Sequence, residues 1–378
     1  MSEKKLGVYI HIPFCVSKCR YCDFLSYACN DAGRAEYVDA LVCEIRNFAK
    51  DFADYVVDTI FIGGGTPSIL EPEQIKRIME AVQDNYKMER YVECTIECNP
   101  GTLTEKKAAT WIESGINRVS FGLQSANNNE LKALGRIHTV EEFVDSYLIA
   151  RNCGFMNINI DLMNALPYQT LDSFCGTLRS VAGLSPEHLS VYSLIVEENT
   201  PLYDWVYAGN EDALPTEETE REMYYATKKI LGEYGYERYE ISNYAKKGYE
   251  CRHNLGYWER KNYVGFGLGA ASLVGNVRYN NLSDMKEYIK CQGSEKENRE
   301  VLSKTDEMAE FMFLGLRKIA GIHKGKFYDA FGVKYDNVYG KVTKELVIKG
   351  LLCEDKDFVR LTELGIDVSN VVLAEFLL

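Results

Sequence analysis

Tyr9-Ile-His-Ile-Pro-Phe-Cys-Val-Ser-Lys-Cys-Arg-Tyr-Cys-Asp-Phe24 places three cysteines, Cys15, Cys19 and Cys22, in one short stretch with the spacing C-x3-C-x2-C. An apolar, strand-like run, residues 7–12, leads into it. On a straight helix the outer two cysteines would lie roughly 10 Å apart along the axis, at about 1.5 Å per residue. That is too far for neighbouring corners of one small cluster, so the spacing predicts a curled loop, and Pro13 at its mouth suits an extended entry. A four-iron cube normally takes four protein thiolates. Three would leave one iron open, and an open coordination position lets a metal bind and activate a substrate. C-x2-C alone would make zinc a competitor, but the unequal spacing and flanking aromatics weigh against it.

Outward from this loop the chain alternates. Strand-like runs at 8–12, 56–62, 92–97, 118–121, 156–161 and 188–193 are separated by helical patterns at 34–50, 71–86, 105–114, 140–153 and 171–182, with a last one at 216–234. That rhythm predicts βαβ units around a parallel sheet. Six units are too few for a closed eight-stranded barrel, so the expected fold is α/β, an open partial barrel. Its reactive face should lie at the carboxyl ends of the strands. The cysteine loop, Gly63 to Pro67, Glu97 to Pro100, Gln124 and Asp161 all fall at or just after such ends. Residues 243–304 read as a connecting region with glycines, tyrosines and short strands. Three helical patterns (307–319, 325–331, 338–349) and a hairpin then suggest a small, α-rich, winged-helix-like domain. The expected division is 1–242, 243–304 and 305–378.

The composition, 46% hydrophobic and 26% charged over 378 residues, is that of an ordinary globular chain with room for a large core. A net charge of −13 argues against nucleic acid as a main partner. No apolar run approaches the ~18 residues of a membrane span, and the N-terminus lacks the apolar segment of a signal peptide. Twelve cysteines without an export signal predict a reducing cytoplasm. The nine outside the loop (Cys29, Cys43, Cys94, Cys98, Cys153, Cys175, Cys251, Cys291 and Cys353) show no second metal-type spacing, and most are expected to be small buried hydrophobes.

The cysteine loop with its flanking Tyr-Ile-His-Ile-Pro-Phe and Tyr-Cys-Asp-Phe resembles the radical S-adenosylmethionine (SAM) superfamily. It is most similar to the branch that holds oxygen-independent coproporphyrinogen III dehydrogenase and the HemW group of heme chaperones. The resemblance implies a partial (β/α)6 barrel, a [4Fe–4S] cluster on Cys15, Cys19 and Cys22, and SAM chelating the open iron through its amino and carboxylate groups. In that superfamily an electron from the cluster splits SAM to a 5′-deoxyadenosyl radical, so an electron donor is an implied partner.

The same resemblance assigns SAM contacts. Gly63-Gly-Gly-Thr-Pro67 matches the family's glycine loop, which carries over Gly64, Gly65 and Thr66; read alone it is equally a tight turn. Glu97 matches a glutamate that contacts SAM. The neighbouring Cys98 should point the other way along the strand and pack. Gln124, Arg136 and Asp161 match polar SAM contacts; an arginine can clamp a carboxylate and an aspartate can accept from an amine or hydroxyl, while ion pairing inside the barrel is the plainer alternative. Tyr9 matches a tyrosine near SAM, or is a core aromatic. Tyr21 matches a contact to a second SAM in the dehydrogenase. His138 reads as a structural histidine.

His253-Asn-Leu-Gly-Tyr-Trp258 matches HNxxYW, a mark of the HemW group, and implies heme contact by His253, since imidazole is a good axial ligand and Tyr and Trp offer flat apolar faces. On the residues alone it is as readily a capping histidine with two core aromatics. Two departures separate the chain from the dehydrogenase: Phe24 stands where the dehydrogenase has a fourth cysteine, and only 14 residues precede Cys15. The expected function is therefore a heme chaperone that binds heme, one [4Fe–4S] cluster and SAM and passes heme to an acceptor protein. Oxidative decarboxylation of coproporphyrinogen III is the alternative. No catalytic residue is assigned. The acceptor, the fate of SAM, the heme ligand, the oligomeric state, a second SAM and peripheral membrane association through partners stay open.

Overall fold

Six parallel strands carry the architecture in the computed structural model, which describes residues 3–377: β1 (Lys4–Ile12), β2 (Tyr55–Gly64), β3 (Met88–Cys98), β4 (Arg118–Gln124), β5 (Ile158–Asn164) and β6 (His188–Ser193). They pair in sequence order, each neighbour parallel to the last. Helices Asp31–Phe48, Pro72–Asn85, Glu105–Glu113, Val140–Cys153 and Leu171–Gly183 return the chain between them. Several of these helices start on a side-chain cap that satisfies an otherwise unpartnered N–H: Asn30, Thr104, Thr139 and Thr170 each accept from the first turn, the last two within reciprocal capping boxes. Both faces of the strands are covered: the face toward the helices is apolar, while the inner face carries buried polar residues such as Thr95, Arg118 and Asn159. On β1, Leu6, Val8, Ile10 and Ile12 are fully buried among Tyr37, Leu41 and Ile45 of the first helix. The alternate residues Tyr9 and His11 face inward, where Tyr9 stacks on Phe61 of β2 at 6.4 Å.

The sheet stays open and runs further than the alternation suggests. Beyond β6 it adds β8 (Asn243–Ala245) and β7 (Glu237–Arg238), both antiparallel; beyond β1 it adds β9 (Tyr263–Phe266), β10 (Ala271–Val274), β11 (Val277–Asn281) and β12 (Lys296–Val301). Residues 243–304, read as a connecting region, therefore supply five strands to the barrel's own sheet. β9 lies parallel to β1. Buried Glu44 holds this extension against the first helix: it accepts from Gly267 N–H, Tyr288 Oη and Asn281 Nδ2, each at 2.8 Å, and pairs with Lys296 at 2.6 Å.

At the C-terminal end, helices Lys304–Gly315, Lys324–Phe331 and Tyr335–Ile348 pack with a three-stranded sheet, β13 (Ile322–His323), β15 (Phe358–Leu361) and β14 (Leu352–Glu354) in that order. Phe327, Tyr339, Leu346, Val359 and Phe376 centre a separate apolar core. The helices and hairpin fall where the sequence pattern put them; β13, two residues long, carries no pattern of its own. No helix among the described residues is long and apolar enough to cross a membrane.

Candidate cofactor site at the carboxyl edge of the sheet

The cysteine loop leaves β1 and is pinched at its base. Cys15 N–H donates to Tyr27 O at 3.0 Å and Tyr27 N–H to Pro13 O at 2.8 Å. Its middle is pinned from two sides, by Arg20 N–H on Leu134 O and by Leu202 N–H on Arg20 O. The glycine loop after β2 is laced to the same stretch: Gly65 N–H donates to Ile12 O at 2.8 Å and Thr66 N–H to Phe14 O at 2.7 Å. These contacts fix two residue types. A Cβ on Gly65 would sit 2.7 Å from Phe14 O, and one on Gly64, at φ +111°, would sit 2.5 Å from the His11 ring. That ring is itself a link, with Nδ1 3.0 Å from Tyr9 Oη and Nε2 3.0 Å from Leu25 O.

Cys15, Cys19, Tyr21, Cys22, Gly64, Gly65, Thr66, Glu97, Gln124, Arg136 and Asp161 all line one cavity of about 350 Å³ at the carboxyl ends of the strands. The cysteine and glycine loops, the ends of β3 and β4, the segment after β4 and strand β5 bring them there from positions up to 146 residues apart in sequence, Cys15 to Asp161. Glu97 accepts from Gly64 N–H at 3.0 Å. Burial, with the nearby Asp161 charge adding to it, pushes the Glu97 carboxyl up to about 8. Asp161 is also raised by burial, against the hydrogen bonds it accepts from Ser120 Oγ (3.1 Å) and Asn159 Nδ2 (2.8 Å). Two carboxyls in one walled space suit a ligand that brings positive charge. Gln124 ends β4 in the left-handed region, φ 73°, where its side-chain oxygen accepts from Tyr192 Oη at 3.1 Å. Such a conformation in a non-glycine residue is a sign of a constrained site.

The three thiols do not converge on one ion: among the described residues no three His, Cys, Asp or Glu side chains are placed to hold a single metal ion. A cluster takes one thiolate per iron at separate corners, and the donors around the thiols fit such a group. Thr66 Oγ1 lies 3.4 Å from Cys15 Sγ and Arg136 Nη1 3.5 Å from Cys19 Sγ, so two hydrogen-bond donors already face the sulfurs. Arg136 is otherwise held by Gly122 O at 2.6 Å and keeps a buried Nε without a partner.

Some residues fall elsewhere. Tyr9 lies one layer below the cavity, on His11. His253 is not at the site: it sits in the barrel interior nearer the strands' amino ends, stacked on Phe61 at 5.3 Å. Both ring nitrogens are taken, Nδ1 by Thr59 Oγ1 at 2.8 Å and Nε2 by Tyr257 Oη at 2.9 Å. Burial lowers its pKa to about 3, so the ring is neutral. In this arrangement His253 is buried, with both ring nitrogens hydrogen-bonded, and lies apart from the cofactor cavity. Trp258 of the same motif lies under Arg317 at 4.5 Å and ties the barrel to the C-terminal helices. Cys98 is buried, with its thiol against Asn99 O and Thr102 Oγ1. Of the nine other cysteines only Cys94, Cys98 and Cys251 are fully buried; Cys29, just before the first helix, and Cys43, Cys153, Cys175 and Cys291, on helix flanks, are half-buried, and Cys353 is exposed. His138 is buried on Leu123 O and lowered to about 4 by burial and Arg136.

Asn99, Ser120, Met163, Tyr192 and Ile195 also line the cavity and were not expected. The strand-end rule could have found Tyr192, which lies near the end of β6. A larger, more open cleft of about 620 Å³ beside β3 is lined by Glu89, Tyr91 and Arg252, but these satisfy one another: Arg252 reaches Glu89 at 3.0 Å and Tyr91 O at 2.7 Å. Its one cysteine, Cys94, is buried against Met79 and it has no cluster of thiols.

Residues 9–181 match the model of the radical SAM superfamily, and residues 302–368 match that of the HemN C-terminal domain. The chain is 39% identical to the heme chaperone HemW of Bacillus subtilis, covering 98% of this chain and 99% of that one. It is 37% identical to the heme chaperone HemW of Lactococcus lactis over 100% of this chain and 99% of that one. The chain belongs to the HemW family. Escherichia coli HemW is 34% identical over 98% of both chains. The HemW-family chain also shares its fold with a solved structure, the coproporphyrinogen III oxidase HemN of Escherichia coli, a radical SAM enzyme: TM-score 0.87, 24% identity, 99% of this chain and 90% of that one.

Proposed function

We propose that this chain is a heme chaperone that holds a [4Fe–4S] cluster on Cys15, Cys19 and Cys22, binds SAM in the adjoining cavity, and passes heme to an acceptor protein. The observation that carries the reading is the convergence of three thiols, a glycine loop, two raised carboxyls and a half-buried arginine on one cavity. When bound, SAM and the cluster would together supply one-electron chemistry. The chain's own groups supply the setting. Gly64, Gly65 and Thr66 present backbone to the ligand, Glu97, Gln124 and Asp161 offer acceptors, Arg136 offers a guanidinium for a carboxylate, Tyr21 walls the space, and Tyr9 supports it from below through His11. Heme enters from the relatives' name and from the mouth of the cavity, where Phe24 and Ile195 stand more than 60% exposed. Exposed apolar groups around a concave site mark a binding surface, and a porphyrin face is flat and apolar. Phe24, at the dehydrogenase's fourth-cysteine position, serves that rim. Twelve free thiols suit a reducing compartment such as the cytoplasm, where an electron donor would serve the cluster. For the division of the chain, a barrel at 1–242, a segment at 243–304 that completes its sheet, and a C-terminal domain at 305–378 remain our reading.

Titration of anaerobically reconstituted protein with hemin tests the function. Saturable growth of a shifted Soret band is expected; a linear, non-saturating response would overturn it. Assay of coproporphyrinogen III with SAM and reductant should give no decarboxylated product.

A further inference from the structure

Thr66, Asn99 and Arg136 come from the loops after β2, β3 and β4, and they form a chain between two of the three cluster cysteines. Arg136 Nη1 lies 3.5 Å from Cys19 Sγ and 3.4 Å from Asn99 Oδ1. Asn99 Nδ2 lies 2.9 Å from Thr66 Oγ1, and Thr66 Oγ1 lies 3.4 Å from Cys15 Sγ. The direction of every bond is forced. A guanidinium only donates, so the amide oxygen must face Arg136 and the amide nitrogen must face Thr66. Thr66 then accepts from Asn99, which turns its own proton toward Cys15. The Asn99 backbone is clamped from behind: its N–H donates to Ser68 Oγ at 3.1 Å and its carbonyl accepts from Thr102 Oγ1 at 2.7 Å. A Cβ on Gly122 would sit 3.2 Å from Asn99 Oδ1 and 2.7 Å from Arg136 Nη2, so the chain also uses the space a side chain would fill.

We propose that Asn99 is a positioning residue that orients this chain so that Thr66 and Arg136 donate to the sulfurs of Cys15 and Cys19 and raise the reduction potential of the cluster held there. Donors to cluster sulfur stabilise the reduced, more negative form, and partners beyond the ligands tune a metal site. Linked hydrogen bonds polarise one another, so the chain should act as a unit. The inference rests on the cluster reading above.

The test is an anaerobic redox titration of the reconstituted full chain, followed by electron paramagnetic resonance, for the parent, Asn99→Leu, Thr66→Val and the double variant, with iron content measured for each. Asn99→Leu should lower the reduced-to-oxidised ratio at fixed potential about tenfold, a shift of about 59 mV for a one-electron couple. Thr66→Val should shift it in the same direction. The double variant should fall well short of the two shifts combined. Asn99→Asp, which still accepts from Arg136 but draws the Thr66 proton off Cys15, should shift at least as far as the leucine variant. An unmoved potential in Asn99→Leu, full additivity with Thr66→Val, or an Asn99→Leu protein that takes up no iron while Thr66→Val does, would each overturn the proposal. A parent chain that takes up no iron would overturn the cluster reading itself.

Discussion

Replacing Glu97 by glutamine removes a carboxyl that the fold holds protonated near neutral pH. In the unfolded chain this group ionises near 4.5, and in the folded chain near 8, mainly because it is buried and secondly because Asp161 is close. Between those values the folded state carries the extra proton, so stability falls as pH rises, by at most about 1.4 kcal/mol per pH unit. Below about 4.5 the penalty is absent and above about 8 it is complete. The whole window amounts to about 5 kcal/mol at full strength. Part of the carboxyl looks into the open cavity, where water screens it, so about 2–3 kcal/mol is the expected share between pH 5.5 and 8.5. Glutamine keeps an oxygen for Gly64 N–H and cannot ionise. The assay is urea unfolding of cluster-free protein under reducing conditions, at both pH values, for parent and variant. The parent should lose about 2–3 kcal/mol more than Glu97→Gln over that range; equal losses, or a larger loss in the variant, would refute the reasoning. A cation seated beside the carboxyl should erase the difference.

Gly65→Ala should destabilise the chain by about 1–3 kcal/mol through overpacking and should cut cluster loading, because its Cβ meets Phe14 O at 2.7 Å; thermal midpoint and iron content check it. His253→Ala should lower stability by about 2–4 kcal/mol, since Thr59 and Tyr257 are left with unmet buried hydroxyls, and should leave the hemin dissociation constant within twofold. Phe24→Ala should weaken hemin binding about tenfold, from the loss of roughly 1.5 kcal/mol of apolar contact at the rim, with iron content unchanged; the hemin titration checks both.

The strand-and-helix rhythm up to residue 234 was legible because each strand is buried on both faces and each helix has one apolar face, so local patterns report the packing. The carboxyl-edge rule then gathered Cys15, Gly64, Glu97, Gln124 and Asp161 correctly into one place. Strands such as β12, Lys-Glu-Asn-Arg-Glu-Val, were not legible: they are polar and mostly exposed, and what makes them strands is the partner strand beside them. The surroundings of His253 were not legible either: its hydroxyl partner Thr59 is 194 positions away. Asn99 gave no signal of its own, because its role exists only once three loops meet.

At the centre of the proposed function are three thiolates holding a four-iron cube whose remaining iron takes SAM. Electron paramagnetic resonance of the dithionite-reduced, reconstituted protein, recorded before and after SAM is added, measures this directly. A [4Fe–4S] signal that changes shape with SAM, and that is lost when Cys15, Cys19 or Cys22 is changed to alanine, is predicted. A signal indifferent to SAM, or one that survives loss of any of the three cysteines, would contradict it.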